Sequence, residues 1–192
     1  MKVRFMKKLV KVGISNRHVH LTKEVYKTLF SSELTKKKDL TQIGDFAANE
    51  TVTLKTKKGI IENVRIIGPY RNYNQVEISK SDARKLGLNP PVRKSGDLEN
   101  SETITIIGEK GEITLENVCI LAERHIHLNP SDALNWQVKD GDMVSVSVKG
   151  DKSCLLNAHI KVSENGVPAF HIDTDDANAA LLNNDEEVEV LL

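Results

Sequence analysis

The sequence has few of the features that mark secreted, membrane-spanning or nucleic-acid-binding proteins. It contains two cysteines in 192 residues, too few for a disulfide framework and typical of a reducing compartment. No stretch approaches the roughly 20 apolar residues that a membrane-spanning helix requires. Lys and Arg together number 27, as do Asp and Glu, so net charge favours neither nucleic acid nor a membrane as a partner.

The basic start of the chain, residues 1–12, lacks the long apolar stretch of a signal peptide, and we expect a cytoplasmic protein. Aromatic residues make up only 4% of the chain, so aliphatic side chains must fill the core. Cys119 and Cys154 both lie in apolar stretches. We expect both to be buried core residues rather than nucleophiles or metal ligands.

Short segments rich in β-branched residues dominate the chain and are separated by turn signals such as Lys58-Gly59 and Lys110-Gly111. These predicted strands are residues 9–14, 51–54, 64–67, 103–107, 113–115, 118–121, 143–148, 158–162 and 188–191. Helices are predicted at about residues 22–31, 80–87, 130–135 and 174–183, and a loop at residues 31–38. Many short strands with a few short helices are typical of small closed β-barrels, so we predict a mainly β fold.

Four segments share a local pattern in which a candidate metal ligand is followed by an aliphatic residue and then by a residue that caps helices. The ligand positions are His20, Glu77, His127 and His171. The third residue is Thr, Ser, Asn or Asp, which are the side chains that accept hydrogen bonds from a first helical turn. In the last three copies an Asp follows three residues later, as in a capping box. The pattern predicts a strand that leads into a short helix and fixes the ligand at the strand end.

Two of these segments carry a second histidine two residues earlier, which gives His18-Val19-His20 and His125-Ile126-His127. Alternate residues of a strand share one face, about 7 Å apart, so both rings can reach one metal ion or two neighbouring ions. Zinc accepts His nitrogen and carboxylate oxygen and is the expected metal, other divalent ions being the alternative. The six candidates suit two ions with three protein ligands each, although spacing leaves their pairing open: His18, His20, Glu77, His125, His127 and His171.

Four arginines are candidates for binding an anionic substrate. Arg71 follows a strand and could clamp phosphate or carboxylate, because guanidinium offers paired donors. Arg93 lies in a basic, proline-containing turn and is a weaker candidate for a nucleotide-like anion, a solvated loop being the alternative. Arg17 and Arg124 neighbour the ligands but lie on the opposite strand face, which makes them weaker candidates. His159 falls outside the repeated pattern and is expected to be a surface or structural residue.

The combination of these motifs resembles the PduL-type phosphotransacylases, or phosphate propanoyltransferases. The motifs run in the family's order over about residues 10–192. They are the segments Ser15-Asn16-Arg17-His18-Val19-His20-Leu21, Gly68-Pro69-Tyr70-Arg71, Gln75-Val76-Glu77-Ile78-Ser79, Pro91-Val92-Arg93-Lys94-Ser95-Gly96, Ala122-Glu123-Arg124-His125-Ile126-His127 and Phe170-His171-Ile172-Asp173.

The resemblance implies two small closed β-barrels capped by short α-helices, with the active site between them. The corresponding domains would be residues 17–122 and 123–192, the second completed by an N-terminal strand at residues 8–16. One zinc ion would be held by His18, His20 and Glu77. A second would be held by His125, His127 and His171.

The implied reaction interconverts acyl-CoA plus phosphate with acyl phosphate plus CoA by direct transfer. Arg71 would bind phosphate and serve catalysis. Propionyl-CoA and acetyl-CoA are both candidate substrates. Some family members have an N-terminal extension that targets them to bacterial microcompartments. The resemblance also implies a role in propanediol degradation. With about 17 residues before His18, we expect that extension to be absent here, which disfavours microcompartment association. A homo-oligomer remains an option.

Two other functions use the same residues. A dinuclear zinc hydrolase would use the same metals, with water as the nucleophile, on a thioester or phosphate ester. A non-catalytic binding module would use the histidines as structural zinc anchors, although such sites are usually rich in cysteine. Phosphate-dependent release of CoA distinguishes the transferase from the hydrolase. Loss of metal with the fold retained and activity lost excludes the module.

Overall fold

The computed structural model describes residues 7–192, which form fourteen strands and four short helices. The strands are β1 Lys7–Ser15, β2 His18–His20, β3 Lys36–Asp39, β4 Phe46–Lys55, β5 Ile60–Gly68, β6 Gln75–Glu77, β7 Val92–Arg93, β8 Glu102–Ile107, β9 Glu112–Ala122, β10 His125–Leu128, β11 Met143–Val148, β12 Cys154–Val162, β13 Ala169–Asp173 and β14 Glu187–Leu191. The helices are α1 Lys23–Leu29, α2 Lys80–Leu86, α3 Pro130–Trp136 and α4 Thr174–Ala180. No helix within residues 7–192 is long and apolar enough to cross a membrane.

The described chain divides into two compact units, each built around its own barrel and core. Unit 1 contains β1, residues 41–43 and residues 123–192. Its strands close into a six-stranded barrel in the order β1-β13-β10-β12-β11-β14, and β14 pairs with β1 to complete the ring. Unit 2 contains residues 16–40 and 44–122. Its ring runs β4-β5-β2-β6-β9-β8 and closes where β8 pairs with β4, while β3 and β7 add to it at β4 and β9.

Aliphatic residues that alternate along the strands fill both barrels. In unit 1 the strand β11 buries Val144, Val146 and Val148 and turns the intervening residues outward. This alternation is the pattern of a strand with one face on a core and the other facing outward. The two cores are separate clusters of buried residues, and the aromatic members are few. The predicted mainly β fold of closed barrels with short helices is therefore confirmed.

Each helix spans seven residues, a length at which an isolated helix is unstable in water. Capping and packing stabilise them instead. The predicted cap residues accept hydrogen bonds from the backbone N–H three residues on: Thr22, Ser79, Asn129 and Asp173. The prediction that each repeated segment is a strand leading into a capped helix is confirmed, because β2, β6, β10 and β13 lead directly into α1, α2, α3 and α4.

Three local predictions differ from the structure. The segment predicted as a loop at residues 31–38 ends in the edge strand β3, whose four residues are exposed. The two strands predicted at residues 113–115 and 118–121 form one strand, β9, in which Asn117 adopts a φ of 53°. Cys119 is fully buried as predicted, but Cys154 at the start of β12 is only partly buried. Cys154 lies at a strand end, where apolar neighbours in sequence do not ensure burial.

Candidate metal centres

The first group of ligand-type side chains lies in unit 2, on two paired strands. His18 and His20 occupy one face of β2, and Glu77 lies on the antiparallel neighbour β6, directly opposite His18. His18 Nε2 is 3.4 Å from Glu77 Oε2, and the two imidazole rings meet edge to face with centroids 5.0 Å apart. One potential ligand atom from each of the three residues lies within 4.8 Å of the other two.

The second group lies in unit 1 and repeats this arrangement. His125 and His127 share a face of β10, and His171 lies opposite His125 on the antiparallel strand β13. The Nε2 atoms of His125 and His127 are 3.1 Å apart. The three ring centroids are separated by 4.7–5.3 Å, and the ligand atoms again lie within 4.8 Å of one another.

The strand environment of the two groups is also the same. β2 pairs in parallel with β5 on one side and antiparallel with β6 on the other. β10 pairs in parallel with β12 and antiparallel with β13. Each His-x-His strand thus has a hydrogen-bonded neighbour on both sides. A central strand holds its side chains in fixed directions, which suits a preorganised site.

Backbone carbonyls set the orientation of the first histidine in each group. His18 Nδ1 is 2.9 Å from the carbonyl oxygen of Asn16, and His125 Nδ1 is 2.8 Å from that of Glu123. A carbonyl only accepts, so the neutral tautomer that fits this contact carries its proton on Nδ1 and has its lone pair on Nε2. This is the usual arrangement of a metal-binding histidine, whose other nitrogen donates to a carbonyl or carboxylate.

Burial keeps the second histidine of each pair neutral. Burial, with smaller contributions from His18 and Arg71, lowers the pKa of His20 to about 3. Burial together with His125 and His171 lowers the pKa of His127 to about 2. A metal requires the neutral imidazole, so neither ring has to lose a proton near neutral pH. His127 Nδ1 is also buried without a hydrogen-bond partner. The imidazole and carboxylate donors, the neutral state of His20 and His127 and the convergence of each group therefore fit a divalent metal ion such as zinc.

Arg71 is anchored beside the first group. Its backbone N–H donates to the Leu21 carbonyl at 3.0 Å, and its Nη2 donates to Asp45 Oδ1 at 2.6 Å. Its Nε is buried and has no hydrogen-bond partner. The guanidinium contributes to lowering the pKa of His20, after burial and His18, which places its positive charge within electrostatic range of that ring. An unsatisfied, buried cationic donor of this kind suits an anion.

The structure gives Arg17 and Arg124 a structural role. Arg17 Nε donates to Asp82 Oδ2 at 2.9 Å, and Arg124 Nη1 donates to Asp176 Oδ1 at 2.9 Å. In both units the arginine that precedes the His-x-His pair thus binds an Asp in the first turn of a helix. That helix, α2 in unit 2 and α4 in unit 1, follows the third candidate ligand. The sequence contained this Asp, but local reasoning assigned it to a capping box. Its actual partner is distant in the chain.

Arg93 and His159 each lie near a carboxylate. Arg93 lies on β7, where Nη1 donates to the Val92 carbonyl at 3.1 Å and Nε is 3.7 Å from Asp97 Oδ2. His159, opposite His125 on β12, has its Nε2 3.0 Å from Glu123 Oε2. The contacts of His159 are those of a partly buried structural residue, as predicted. The contacts of Arg93 leave its predicted anion-binding role a prediction.

Comparison with known proteins agrees with this geometry. A sequence profile described as phosphate propanoyltransferase matches residues 11–183. The chain belongs to the phosphate propanoyltransferase family. A family member from Thermotoga maritima is 50% identical over 184 residues, covering 94% of this chain and 88% of the relative. Relatives from Lachnoclostridium phytofermentans and Salmonella typhimurium are 48% and 46% identical, over 95% and 91% of this chain and 87% and 85% of their own. The predicted family and its enzymatic class, an acyltransferase, are thereby confirmed.

Two further residues of this phosphate propanoyltransferase family member lie against the candidate ligands. Sequence reasoning assigned neither of them a role. Gln75 is opposite His20 and donates to Glu77. Gly13 on β1 is opposite His171 on the parallel strand β13. A Cβ atom at Gly13 would lie 2.7 Å from His171 Cδ2 and 2.9 Å from its Nε2. The absence of a side chain at Gly13 is what leaves room for the ring, a requirement that only the strand pairing reveals.

Proposed function

We propose that this chain catalyses reversible acyl transfer between coenzyme A and inorganic phosphate, with propionyl-CoA or acetyl-CoA as the acyl donor. We propose further that two zinc ions per chain take part, one held by His18, His20 and Glu77 and the other by His125, His127 and His171. The observation that carries this proposal is the convergence of three ligand-type side chains in each unit of a chain from this family. The relatives are named phosphate propanoyltransferase, which supports a propanoyl group and phosphate as the reacting groups.

Zinc bound to these groups would supply Lewis-acid polarisation of the thioester carbonyl and a soft site for the thiolate. The protein groups hold the ligands in register, and burial keeps His20 and His127 neutral. Arg71 would bind phosphate through its unsatisfied Nε and hold it for attack on the carbonyl carbon. In the forward reaction the carbon–sulfur bond breaks, a carbon–oxygen bond to phosphate forms, and CoA leaves as the thiolate.

Direct transfer, without an acyl-enzyme, agrees with the state of the cysteines. Cys119 is fully buried, and burial raises the pKa of its thiol to about 12. It therefore stays protonated and cannot act as a nucleophile near neutral pH. Cys154 begins β12 and belongs to neither ligand group. Attack by phosphate itself needs no nucleophile from the protein.

The first experiment measures thiol release from propionyl-CoA and acetyl-CoA, with and without phosphate, before and after zinc is removed by a chelator. We expect release that requires both phosphate and zinc, with acyl phosphate as the second product. Release without phosphate would indicate a zinc hydrolase instead. No release from a folded protein that contains two zinc ions would refute acyl transfer.

The arginine assignment has its own test. Losing one charge-assisted contact of about 1.5–3 kcal/mol should raise the KM for phosphate about 10- to 100-fold in Arg71→Ala. The KM for acyl-CoA should change far less. Arg84→Ala, an exposed arginine on α2, is the matched control and should behave as wild type. Unchanged phosphate kinetics in Arg71→Ala would contradict the assignment.

A further inference from the structure

Gln75 is a fully buried polar residue in the same layer as the first ligand group. It lies opposite His20 in the β2–β6 pair, two residues before Glu77, and its relative exposure is 0%. Residues two apart on a strand share a face, so Gln75 and Glu77 point to the side occupied by His18 and His20. A buried amide is costly unless its hydrogen bonds are made, so its partners indicate its role.

The hydrogen bonds of the Gln75 side chain determine the orientation of its amide. Its Oε1 accepts from the backbone N–H of Gly96 at 2.7 Å. Because that N–H can only donate, the amide oxygen must face Gly96 and the amide nitrogen must face the other way. Gln75 Nε2 then donates to Glu77 Oε1 at 2.5 Å and to Ser95 Oγ at 2.8 Å. Both amide hydrogens are thereby used.

This arrangement divides the two oxygens of the Glu77 carboxylate. Oε1 is held by Gln75, and Oε2 is the atom 3.4 Å from His18 Nε2. A carboxylate held by one oxygen cannot rotate freely about its terminal torsion. The oxygen left facing the histidines is the one in position to bind a metal.

The other unit supplies an internal comparison. There the residue opposite the second histidine, His127, is Ala169, and the third candidate ligand is His171. The orienting amide occurs where the third ligand is a carboxylate, and alanine stands at the equivalent place where it is an imidazole. A neutral imidazole has only one nitrogen with a lone pair for a metal. No neighbouring amide is therefore needed to select between two donor atoms.

We propose that Gln75 is a positioning residue that selects Oε2 of Glu77 for the metal. The inference rests on the zinc site of the proposed function and adds to it the residue that orients its one carboxylate. Gln75 acts through Glu77 and is not itself placed on the metal.

The experiment measures zinc affinity by competition with a chelator in the His127→Ala protein, in which the first group is the intact one. Gln75→Met keeps the volume of the side chain and removes the amide. We expect it to weaken zinc binding about 10- to 100-fold, the usual effect of losing an outer hydrogen-bond partner of a ligand. Gln75→Ala is the second variant if methionine perturbs folding, and thermal melting of the metal-free proteins monitors the fold.

A double-mutant cycle separates orientation of Glu77 from general support of the fold. In a Glu77→His background the third ligand matches that of the other unit. Gln75→Met should then change zinc affinity less than about twofold, because no carboxylate is left to orient. An equal loss in both backgrounds, or no loss with Glu77 present, would overturn the proposal.

Cobalt provides a readout that does not depend on the Glu77→His protein binding metal. The visible absorption of Co²⁺ in the single-site protein should change in Gln75→Met, because the Glu77 carboxylate would no longer present the same oxygen in the same orientation. It should stay as it is in Ser95→Ala, which removes a partner of Gln75 without touching Glu77. An unchanged spectrum in Gln75→Met would also overturn the proposal. Failure of the His127→Ala protein itself to bind zinc would refute the proposed metal site, a result distinct from any effect of Gln75.

Discussion

Replacing Gly13 with alanine should selectively impair metal binding by the second ligand group. β1 runs parallel to β13 with Gly13 opposite His171, and an added Cβ would lie 2.7 Å from His171 Cδ2. Non-bonded carbon atoms prefer a separation of about 3.5–4.0 Å, so the ring must retreat by about 0.8 Å. Zinc–nitrogen bonds of about 2.0–2.1 Å tolerate deviations of only about 0.2 Å. The expected displacement is therefore several times what the site can accept.

We expect Gly13→Ala to lower the zinc affinity of this group at least about tenfold, as mutations beside metal ligands commonly do. The fold should be retained. Alanine in a strand gains about 0.5–1 kcal/mol over glycine, which offsets part of the cost of moving the ring. The free energy of unfolding of the metal-free protein should stay within about 1 kcal/mol of wild type.

The assay is a zinc titration with a competing chelator, together with metal analysis of the dialysed protein. Zinc content should fall from two ions per chain toward one, the group at His18, His20 and Glu77 serving as the internal control. In a His171→Ala background, Gly13→Ala should cost nothing further, because the ring it displaces is gone. Two ions bound with unchanged affinity would refute the claim that Gly13 makes room for His171.

Three other predictions follow from burial in the two units. Cys154 should react with iodoacetamide in the native protein, and Cys119, fully buried with its thiol pKa raised to about 12, should react only on unfolding; equal rates would contradict this. Arg17→Met leaves the buried carboxylate of Asp82 without its ion-pair partner and should lower the free energy of unfolding, measured by urea denaturation, by about 1–3 kcal/mol. The lower end of this range is expected because Arg17 is partly exposed. An unchanged free energy of unfolding would show that the ion pair does not stabilise the fold. Trp136 is the one tryptophan of the sequence and lies in the core of unit 1. Zinc at 100 times its Kd should therefore raise the free energy of unfolding, followed by tryptophan fluorescence, by about 2.7 kcal/mol. An unmoved unfolding transition would argue against a zinc site in that unit.

The sequence predicted those parts of the molecule that depend on local pattern. Capping residues identified all four helices within a few residues, because a cap and the turn it stabilises are adjacent in the chain. The repeated pattern identified Glu77, which alone would pass for an exposed strand residue. The pairing of ligands into two groups came from family resemblance, since spacing along the chain does not determine which strands become neighbours.

Features that depend on strand pairing could not be predicted. Gly13 looks like an ordinary strand glycine until β1 is placed beside β13. Gln75 looks like an ordinary polar residue until Gly96 and Glu77 are placed around its amide. Arg17 was predicted to lie on the strand face opposite the ligands. Its partner Asp82 could not be predicted, because the two residues are 65 positions apart in the chain.

The barrel of unit 1 begins with the first described strand and ends with the last, and this affects how the chain can fold during synthesis. Strand β1 leaves the ribosome before the other described strands, yet its neighbours β13 and β14 begin at Ala169 and Glu187. All six strands of the other ring lie within residues 16–122 and are complete earlier. A nascent chain halted before β13 would contain all the strands of the unit 2 barrel with its three candidate ligands, and a β1 that lacks both of its neighbours. Closure of the unit 1 barrel therefore requires that β13 and β14 be synthesised first.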